Sequence, residues 1–477
     1  MTENYWSKEE SAPDLDPLNS LLAEFSDPEV AEEEFREDFF EGLAGRRKKA
    51  AFLLTTVWLT TIGLHLIGWG IWLVWTFTSL VAIQILRCLS TKADPMPAAL
   101  ADGCLTDAPK VSLLVAAKNE ESVIANSIAM LCSLDYPTDK YEVWAIDDRS
   151  TDNTPAILDR LALEYPQLKV VHRAANAGGG KSGALNQVIP QTFGDIIGVF
   201  DADAKVSANL LRRVVPLFEN PQMGAVQVRK AISNAAENFW TKGQEVEMAL
   251  DSYVQQQRIA VGGIGELRGN GQFVSRSALH SCGGWNEETI TDDLDLTIRL
   301  HLDNWKVGFL LAPPVLEEGV TQAHSLWHQR NRWAEGGYQR YLDYWRYIFR
   351  TPMGFGKRID LLCWMLLQYL VPAANVPDGL MAIARHRLPI LSPVTALLFA
   401  WGFFGMFRGL IRIQNTAGNP VRLLDLFRIA GQSLQGLIYM LHWQIVMFSV
   451  TARMSFRPKR LKWVKTVHEG STSLNNG

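Results

Sequence analysis

Cysteine is scarce in this sequence, with five cysteines among 477 residues. They are scattered without paired spacing, at Cys88, Cys104, Cys132, Cys282 and Cys363. A disulfide framework or a zinc site needs cysteines at recurring, close spacings, so neither is expected here. The pattern is typical of a protein kept in a reducing compartment. The first apolar run begins only after about fifty mostly polar residues, so no cleavable signal peptide is expected.

An excess of charge of one sign is also lacking, because 46 Lys and Arg residues face 50 Asp and Glu residues. No nucleic-acid partner is therefore indicated. The charges are unevenly distributed along the chain. Residues 1–45 form an acidic leader that offers few groups to bury, and it is predicted to be disordered. Residues 457–477 form a basic tail, which is either solvated or lies on anionic lipid headgroups.

No Asp, Glu, Lys or Arg occurs between Ala51 and Leu86. A single helix over this run would be about 54 Å long, whereas the hydrocarbon core of a bilayer is about 30 Å thick. Gly68 and Gly70 lie at its middle, so residues 46–92 are predicted to form a transmembrane hairpin, with one tilted span as the alternative. Cations flank both ends of the run, which favours a hairpin with both ends cytoplasmic.

Three more apolar segments follow, at about 359–384, 390–411 and 433–452. They assign residues 346–456 to transmembrane or interfacial helices. Three crossings would place the basic tail on the side opposite the central domain, against the positive-inside rule. One segment is therefore expected to be interfacial, and Pro372 and Pro377 point to 359–376. The chain is predicted to be a multi-pass membrane protein with its central domain on the cytoplasmic side.

The central segment, residues 105–345, alternates short apolar runs with helical periods. Strands are predicted at 111–116, 142–146, 169–171 and 196–200, and helices at 122–133 and 155–165. This βαβ rhythm predicts an α/β fold with a doubly wound, mostly parallel sheet. Sheets of this kind bind ligands at the carboxyl ends of their strands.

Two acidic clusters follow predicted strands. Asp147 and Asp148 end one strand, and Asp201 and Asp203 follow another. Carboxylates in this arrangement suit Mg²⁺ or Mn²⁺, which could bridge diphosphate oxygens and take up the charge of a departing nucleotide. In isolation, Asp201-Ala202-Asp203 is more often a solvated turn after a strand.

Gly178-Gly179-Gly180-Lys181 forms a glycine-rich loop that opens a helix. Backbone amides in such a loop can approach phosphate closely. A Walker A motif is disfavoured because Ala175 stands where its first glycine is required and no strand runs directly into the loop. A plain flexible turn is the remaining alternative.

Two further clusters lie towards the end of the central segment. Thr291-Asp292-Asp293 is either an ordinary helix cap or the source of a base that takes the proton of an acceptor hydroxyl. The stretch from Gln329 to Trp333 contains arginines, which bind diphosphate bidentately, and an indole, which stacks on sugars. An interfacial membrane anchor is the alternative for this second cluster.

In order along the chain, these clusters resemble the D, DxD, TED and QxxRW motifs of the family 2 glycosyltransferases. The stretches concerned are Asp147-Asp148, Asp201-Ala202-Asp203, Thr291-Asp292-Asp293 and Gln329-Arg330-Asn331-Arg332-Trp333. The resemblance covers about residues 105–345. It implies a GT-A fold, a UDP-linked sugar donor, a divalent metal ion and inversion at the anomeric carbon. Asp292 departs from the family, which usually has glutamate there.

The resemblance also implies roles for individual residues. Asp148, with Asp147 as the alternate, would contact the nucleotide base, and Lys181 would lie beside the nucleotide. Asp201 and Asp203 would hold the metal ion, Mg²⁺ or Mn²⁺, and the diphosphate, and Asp293 would be the general base. Gly269, Asn270 and Gly271 would line the sugar pocket. The diphosphate and the acceptor terminus would contact Gln329, Arg332 and Trp333.

Within the family, the acidic leader, the few C-terminal spans, the Asp-Asp variant and the glycine-rich loop together resemble members that act on lipids. This implies a hexosyltransferase of glycolipid synthesis that joins glucose from UDP-glucose to diacylglycerol in the bilayer. The alternative is a processive polysaccharide synthase of the cellulose or hyaluronan type, which needs a translocation channel larger than this membrane part suggests. A membrane scaffold that has lost catalysis is disfavoured, because all the expected acidic residues are present.

Overall fold

The computed structural model describes residues 45–93 and 95–456, so the acidic leader up to residue 44 and the basic tail lie outside the described residues. Its centre is a seven-stranded sheet with the strand order β3-β2-β1-β4-β6-β5-β7. The strands are β1 (Val111–Ala117), β2 (Tyr141–Asp147), β3 (Leu168–His172), β4 (Ile196–Phe200), β5 (Met223–Ile232), β6 (Gln272–Ser275) and β7 (Lys306–Glu317).

All strands except β6 run in one direction, and β6 pairs antiparallel with both β4 and β5. The strands β1, β2 and β4 are buried along nearly their whole length. Strands covered on both faces are typical of parallel sheets and explain their almost unbroken apolar sequences. The predicted α/β class with a mostly parallel, doubly wound sheet is confirmed, as are the four predicted strands.

Helices cover both faces of the sheet and extend into a membrane part. The first ten are α1 (Arg46–Leu66), α2 (Gly70–Ser90), α3 (Ile124–Leu131), α4 (Thr154–Glu164), α5 (Gly180–Val188), α6 (Leu210–Val214), α7 (Phe239–Ala260), α8 (Arg276–Ser281), α9 (Asp292–Leu302) and α10 (Ala323–Arg350). Leu113 and Phe200 belong to the core on one face, and Leu114 and Ile197 to the core on the other. The alternation of side chains along each strand produces these two cores.

The C-terminal part consists of α11 (Phe355–Met365), a π-helical turn (Leu366–Leu370), α12 (Val371–Ala384), α13 (Ser392–Thr416) and α14 (Leu423–Phe456). Within the described residues, four helices are long and apolar enough to cross a membrane: Arg46–Leu66, Gly70–Ser90, Phe355–Ala384 and Ser392–Thr416. The charge-free N-terminal run is thus interrupted near its middle and belongs to two helices, each of 21 residues, that extend beyond it at its two ends.

The segment expected to be interfacial, 359–376, lies inside one of these four helices, whereas α14, which contains the predicted apolar segment 433–452, is not among them. The π-helical turn immediately before Pro372 lets the chain remain helical through this stretch. Such local adjustments accommodate proline in membrane helices. Four crossings would return both ends of the membrane part to one side of the bilayer.

Helix α7 lies between the sheet and the membrane helices, and α13 packs closely against it. A Cβ atom on Gly409 would lie 2.3 Å from the carbonyl oxygen of Ala249, and one on Gly405 would lie 2.5 Å from the side chain of Leu250. Small residues four positions apart let two helix backbones approach each other in this way. The sheet domain is therefore attached to the membrane part by direct backbone packing.

Replacing Gly409 with alanine is expected to loosen this attachment, because the new methyl group meets a backbone atom that cannot rotate away. Overpacking of this kind costs about 1–3 kcal/mol, which should appear as a lower unfolding temperature in detergent. Gly402→Ala is the matched control on the same helix, since a Cβ there meets only Leu437 at an ordinary 3.5 Å. Equal stability of the two variants would contradict the close packing.

Ion pairs also join the membrane part to the sheet domain. Arg46, at the start of α1, donates from Nε and Nη2 to the two carboxylate oxygens of Asp343 on α10, each at 2.6 Å. Arg258 on α7 donates from Nη2 to Asp360 on α11 at 2.8 Å. The first spanning helix is therefore fixed directly to α10, the helix that carries Gln329 and Trp333.

Candidate active site

The two carboxylates of the Asp-Ala-Asp motif follow β4, at the carboxyl edge of the sheet. The Asp201 side chain is 42% exposed and accepts a hydrogen bond from Lys181 Nζ at 2.5 Å. Asp203 is buried, and its Oδ2 accepts from the backbone N–H of Glu318 at 2.9 Å. The strand end fixes one carboxylate against the end of β7 and leaves the other facing the site.

The glycine-rich loop brings Lys181 to these carboxylates. Gly179 and Gly180 have φ angles of 77° and 51°, a left-handed conformation that favours glycine. They lead into α5, so that Lys181 lies in its first turn. Burial alone would lower the pKa of Lys181, but Asp201, Asp292 and Asp293 outweigh burial and raise it. The lysine therefore faces carboxylates from both the second and the third motif.

Asp293 lies in the first turn of α9, whose N-cap is Thr291. Its Oδ1 accepts a hydrogen bond from the backbone N–H of Leu294 at 2.8 Å. Desolvation, and then the neighbouring charge of Asp292, raise the pKa of Asp293 to about 6, against the opposing effects of Arg268 and Lys181. A carboxylate with a raised pKa is a suitable general base near neutral pH.

A short turn lies between the carboxylates of Asp201 and Asp293. It consists of Gly269, Asn270 and Gly271. A Cβ on Gly269 would lie 3.5 Å from Asp293 Oδ2. Asn270 is fully buried, and its Oδ1 accepts from the backbone N–H of Asp201 at 3.2 Å. The backbone of this turn thus lies beside Asp293 on one side and Asp201 on the other.

The first motif lies at the same edge of the sheet, after β2. Asp148 accepts from Arg173 Nη1 at 2.8 Å and from Arg149 Nε at 3.2 Å. Asp147 is more deeply engaged, because its Oδ1 accepts from the N–H of Ser150 and its Oδ2 lies 3.1 Å from His172 Nδ1. Asp148 is the more accessible of the two side chains, at 12% against 5%.

The fourth motif lies on α10 and also reaches the site. Burial lowers the pKa of Arg332, while the nearby carboxylates of Asp201, Asp292 and Asp293 act to raise it. Gln329 Oε1 accepts from Arg330 Nη1 at 2.8 Å, which fixes the orientation of the amide. The indole of Trp333 is half-buried, with the ammonium of Lys230 5.2 Å from the ring centroid.

Several residues of this region do not belong to any motif identified in the sequence. Arg173 donates to the carbonyls of Gly178 and Gly180 as well as to Asp148, and thereby joins the first motif to the glycine-rich loop. Lys230, at the end of β5, pairs with Glu317, at the end of β7, at 2.8 Å. The rule that ligands bind at the carboxyl ends of strands could have indicated both Lys230 and Glu317.

Asp201 and Asp203 suit a hard divalent cation, because carboxylate oxygens are the ligands that Mg²⁺ and Mn²⁺ prefer. Among the residues with described positions, no group of three or more His, Cys, Asp or Glu side chains is arranged to hold a metal ion. The candidate ligands from the protein are the carboxylates of Asp201 and Asp203. This donor set fits a cation that is bound together with substrate phosphates and water, as Mg²⁺ commonly is.

Comparison with known proteins agrees with this arrangement. Residues 109–336 match the family model described as glycosyltransferase like family 2. The β-monoglucosyldiacylglycerol synthase of Synechocystis sp. is 59% identical over 461 residues, which are 96% of this chain and 96% of that protein. The chain belongs to glycosyltransferase family 2. A synthase of the same name from Trichormus variabilis is 57% identical over 472 residues, which are 99% of this chain and 100% of that protein.

A solved structure shares the GT-A-like fold of this family 2 chain. It is the mannosyltransferase PcManGT from Pyrobaculum calidifontis in complex with GDP-Man and Mn²⁺, with a TM-score of 0.51. It is 20% identical, and the alignment covers 81% of this chain and 99% of that one. At this identity the likeness establishes the fold, while substrate and metal have to be argued from the site itself.

Proposed function

We propose that this chain transfers glucose from UDP-glucose to 1,2-diacylglycerol with inversion, giving β-monoglucosyldiacylglycerol. One observation carries the proposal: near-full-length likeness to two β-monoglucosyldiacylglycerol synthases, in a chain that retains all four motifs. The catalytic domain would comprise residues 105–345. The membrane hairpin of residues 46–92 and the helices of residues 346–456 would present the lipid hydroxyl to it.

In this proposal Asp293 is the general base. Its carboxylate takes the proton of the diacylglycerol hydroxyl while that oxygen bonds to the anomeric carbon, and the bond from that carbon to the diphosphate oxygen breaks. Attack occurs on the face opposite the leaving UDP, so the configuration inverts. The position of Asp293 supports this role, because it lies in the first turn of α9 beside Gly269, in the turn that would line the sugar pocket.

The donor would be held by the remaining motif residues. Asp148 would contact the base, and the backbone at Gly269, Asn270 and Gly271 would line the sugar pocket. Lys181, Gln329 and Arg332 would lie along the diphosphate, with Lys181 exchanging its partner Asp201 for phosphate oxygens. A divalent metal ion, Mg²⁺ or Mn²⁺, held by Asp201 and Asp203, would supply charge neutralisation to the departing diphosphate, a contribution of several kcal/mol.

The catalytic domain would face the cytoplasm, where UDP-glucose is available. This orientation is supported by the cations at those ends of the membrane helices that lie nearest the catalytic domain. Arg46, Lys49 and Arg87 all lie at ends of α1 and α2 from which they contact α10 or the end of α7. Positive residues mark the cytoplasmic ends of spanning helices.

The test is a product analysis with the purified full-length protein in detergent. Labelled UDP-glucose, dioleoylglycerol and Mg²⁺ are incubated with it, and the label is partitioned between organic and aqueous phases. A single-sugar lipid is the expected product, with no organic label when dioleoylglycerol is omitted. High-mass polymer would identify a polysaccharide synthase instead, and the absence of any transfer would leave the proposed function without support.

The rate should depend on pH through Asp293. The carboxylate can accept a proton only when ionised, and its pKa is raised to about 6. We therefore expect kcat/KM to fall about tenfold per pH unit below that value and to level off above it. UDP-glucose binding, measured at the same pH values, is the control for loss of the donor complex. A rate that stays constant from about pH 7 to about pH 5 would contradict Asp293 as the base.

A further inference from the structure

A carboxylate outside the four motifs, Glu247 on α7, gathers donors from two other helices. Its Oε2 accepts from Arg330 Nη2 at 2.7 Å and from Tyr439 Oη at 2.8 Å, and its Oε1 accepts from Trp443 Nε1 at 2.8 Å. Arg330 lies on α10, whereas Tyr439 and Trp443 lie on α14. Three helices that are distant in sequence therefore meet at one buried ion pair.

The guanidinium held by Glu247 lies against the indole of Trp333. The distance from Arg330 Cζ to the ring centroid of Trp333 is 4.1 Å, and the distance to that of Trp443 is 5.8 Å. Arg330 itself has no exposed surface. A cation over an aromatic face is attracted by the negative face of the ring, most strongly where water is excluded. Arg330 thus packs against one face of the Trp333 indole and supports it from the protein interior.

Trp333 is connected to the reacting groups by a continuous series of contacts. Lys230, which is 5.2 Å from the ring centroid of Trp333, pairs with Glu317, and Glu317 Oε2 accepts from Asn270 at 3.5 Å. Asn270 in turn accepts from the backbone of Asp201. The indole of Trp333 therefore belongs to the active site, and a shift of this ring would change the active site directly.

The charge state of Glu247 suits a fixed ion pair. Burial alone would raise the pKa of Glu247, but Arg330, His442 and the hydrogen bonds from Tyr439 and Trp443 outweigh it and lower the pKa. A buried carboxylate of this kind remains paired, because separating the charges would leave both desolvated and uncompensated. Glu247 is therefore expected to keep the guanidinium of Arg330 in place.

We propose that Glu247 and Arg330 are positioning residues that hold the indole of Trp333 at the acceptor end of the active site, with Tyr439 and Trp443 of α14 completing the support. This inference rests on the proposed function, in which Trp333 contacts the acceptor. The inference assigns to α14 a role that its length and composition alone do not suggest. Through Tyr439 and Trp443, α14 would hold an active-site side chain in position from the membrane part.

The test is a double-mutant cycle between Arg330→Lys and Trp333→Phe. A lysine keeps the charge but loses the planar group that stacks on the indole and bonds to Glu247. We expect Arg330→Lys to raise the KM for dioleoylglycerol about tenfold in mixed micelles. In the Trp333→Phe background the same substitution should change the acceptor KM less than about twofold, because the side chain it positions is gone.

Two further variants keep the test decisive if Arg330→Lys folds poorly. Tyr439→Phe removes the hydroxyl that donates to Glu247. It should raise the acceptor KM when Trp333 is present and change it little in the Trp333→Phe background. Trp364→Phe is the matched control, since Arg258 stacks on Trp364 at 4.5 Å in a pair that does not touch Trp333. It should leave the acceptor KM unchanged.

A merely structural cluster would give a different result. Arg330→Lys and Tyr439→Phe would then lower the unfolding temperature and kcat, leave the acceptor KM unchanged, and act equally with and without the indole. If the unaltered protein transfers glucose and the variants give this result, the inference is overturned and the proposed function stands. Failure of the unaltered protein to transfer would instead refute the proposed function itself.

Discussion

Replacing Asp293 with asparagine is expected to abolish glycosyl transfer while leaving UDP binding nearly intact. Asparagine has the same shape, and its amide oxygen can still accept the hydrogen bond from Leu294. It cannot take a proton from the acceptor hydroxyl, and loss of a positioned base typically costs 10²- to 10⁴-fold in rate. Because Asp293 adds negative charge near Lys181 and Arg332, its removal should not weaken binding of an anionic nucleotide.

The experiment measures both quantities on the same preparation. Initial rates with UDP-glucose and dioleoylglycerol give the loss of transfer, and titration calorimetry with UDP gives the affinity. Asp303→Asn is the matched control, because Asp303 is the C-cap of the same helix and is exposed. Near-normal transfer by the Asp293 variant, or loss of its UDP binding, would exclude the role of Asp293 as the base.

Removing the divalent metal ion is expected to stop turnover, and adding back Mg²⁺ or Mn²⁺ should restore it. The fit of the site to a cation depends on Asp201 and Asp203, which supply hard oxygen ligands at the end of β4. Asp203→Asn should therefore lower the rate by at least about 10²-fold, since a cation held there would stabilise the leaving diphosphate by several kcal/mol. The variant should also require a higher metal concentration for half-maximal activity.

Chelation with EDTA followed by metal titration checks this expectation. Asp195→Asn is the matched control, because Asp195 precedes the same strand at its opposite end and is exposed. It should show the same metal dependence as the unaltered protein. Undiminished activity after chelation would exclude a metal ion at Asp201 and Asp203.

The local patterns of the sequence determined the sheet class and the positions of the four motifs. Unbroken apolar runs such as Val111–Ala117 predict buried parallel strands without knowledge of their neighbours. Asp201 could be identified because it directly follows an apolar strand, and Asp293 because it lies at the start of a helix. The convergence of Asp148 with Asp201 was predictable as well, since the carboxyl ends of parallel strands share one edge of the sheet. Asp293 begins a helix, so its place beside them depended on the tertiary structure.

Only the tertiary structure decided which other charges surround these groups. Arg330 and Glu247 are 83 positions apart, and Tyr439 is a further 109 positions along the chain from Arg330. No local period relates such residues; they meet because α7, α10 and α14 pack together at the boundary between the sheet domain and the membrane part. Buried ion pairs and indole contacts depend on packing over long sequence separations, whereas strand ends and apolar runs are properties of the local chain.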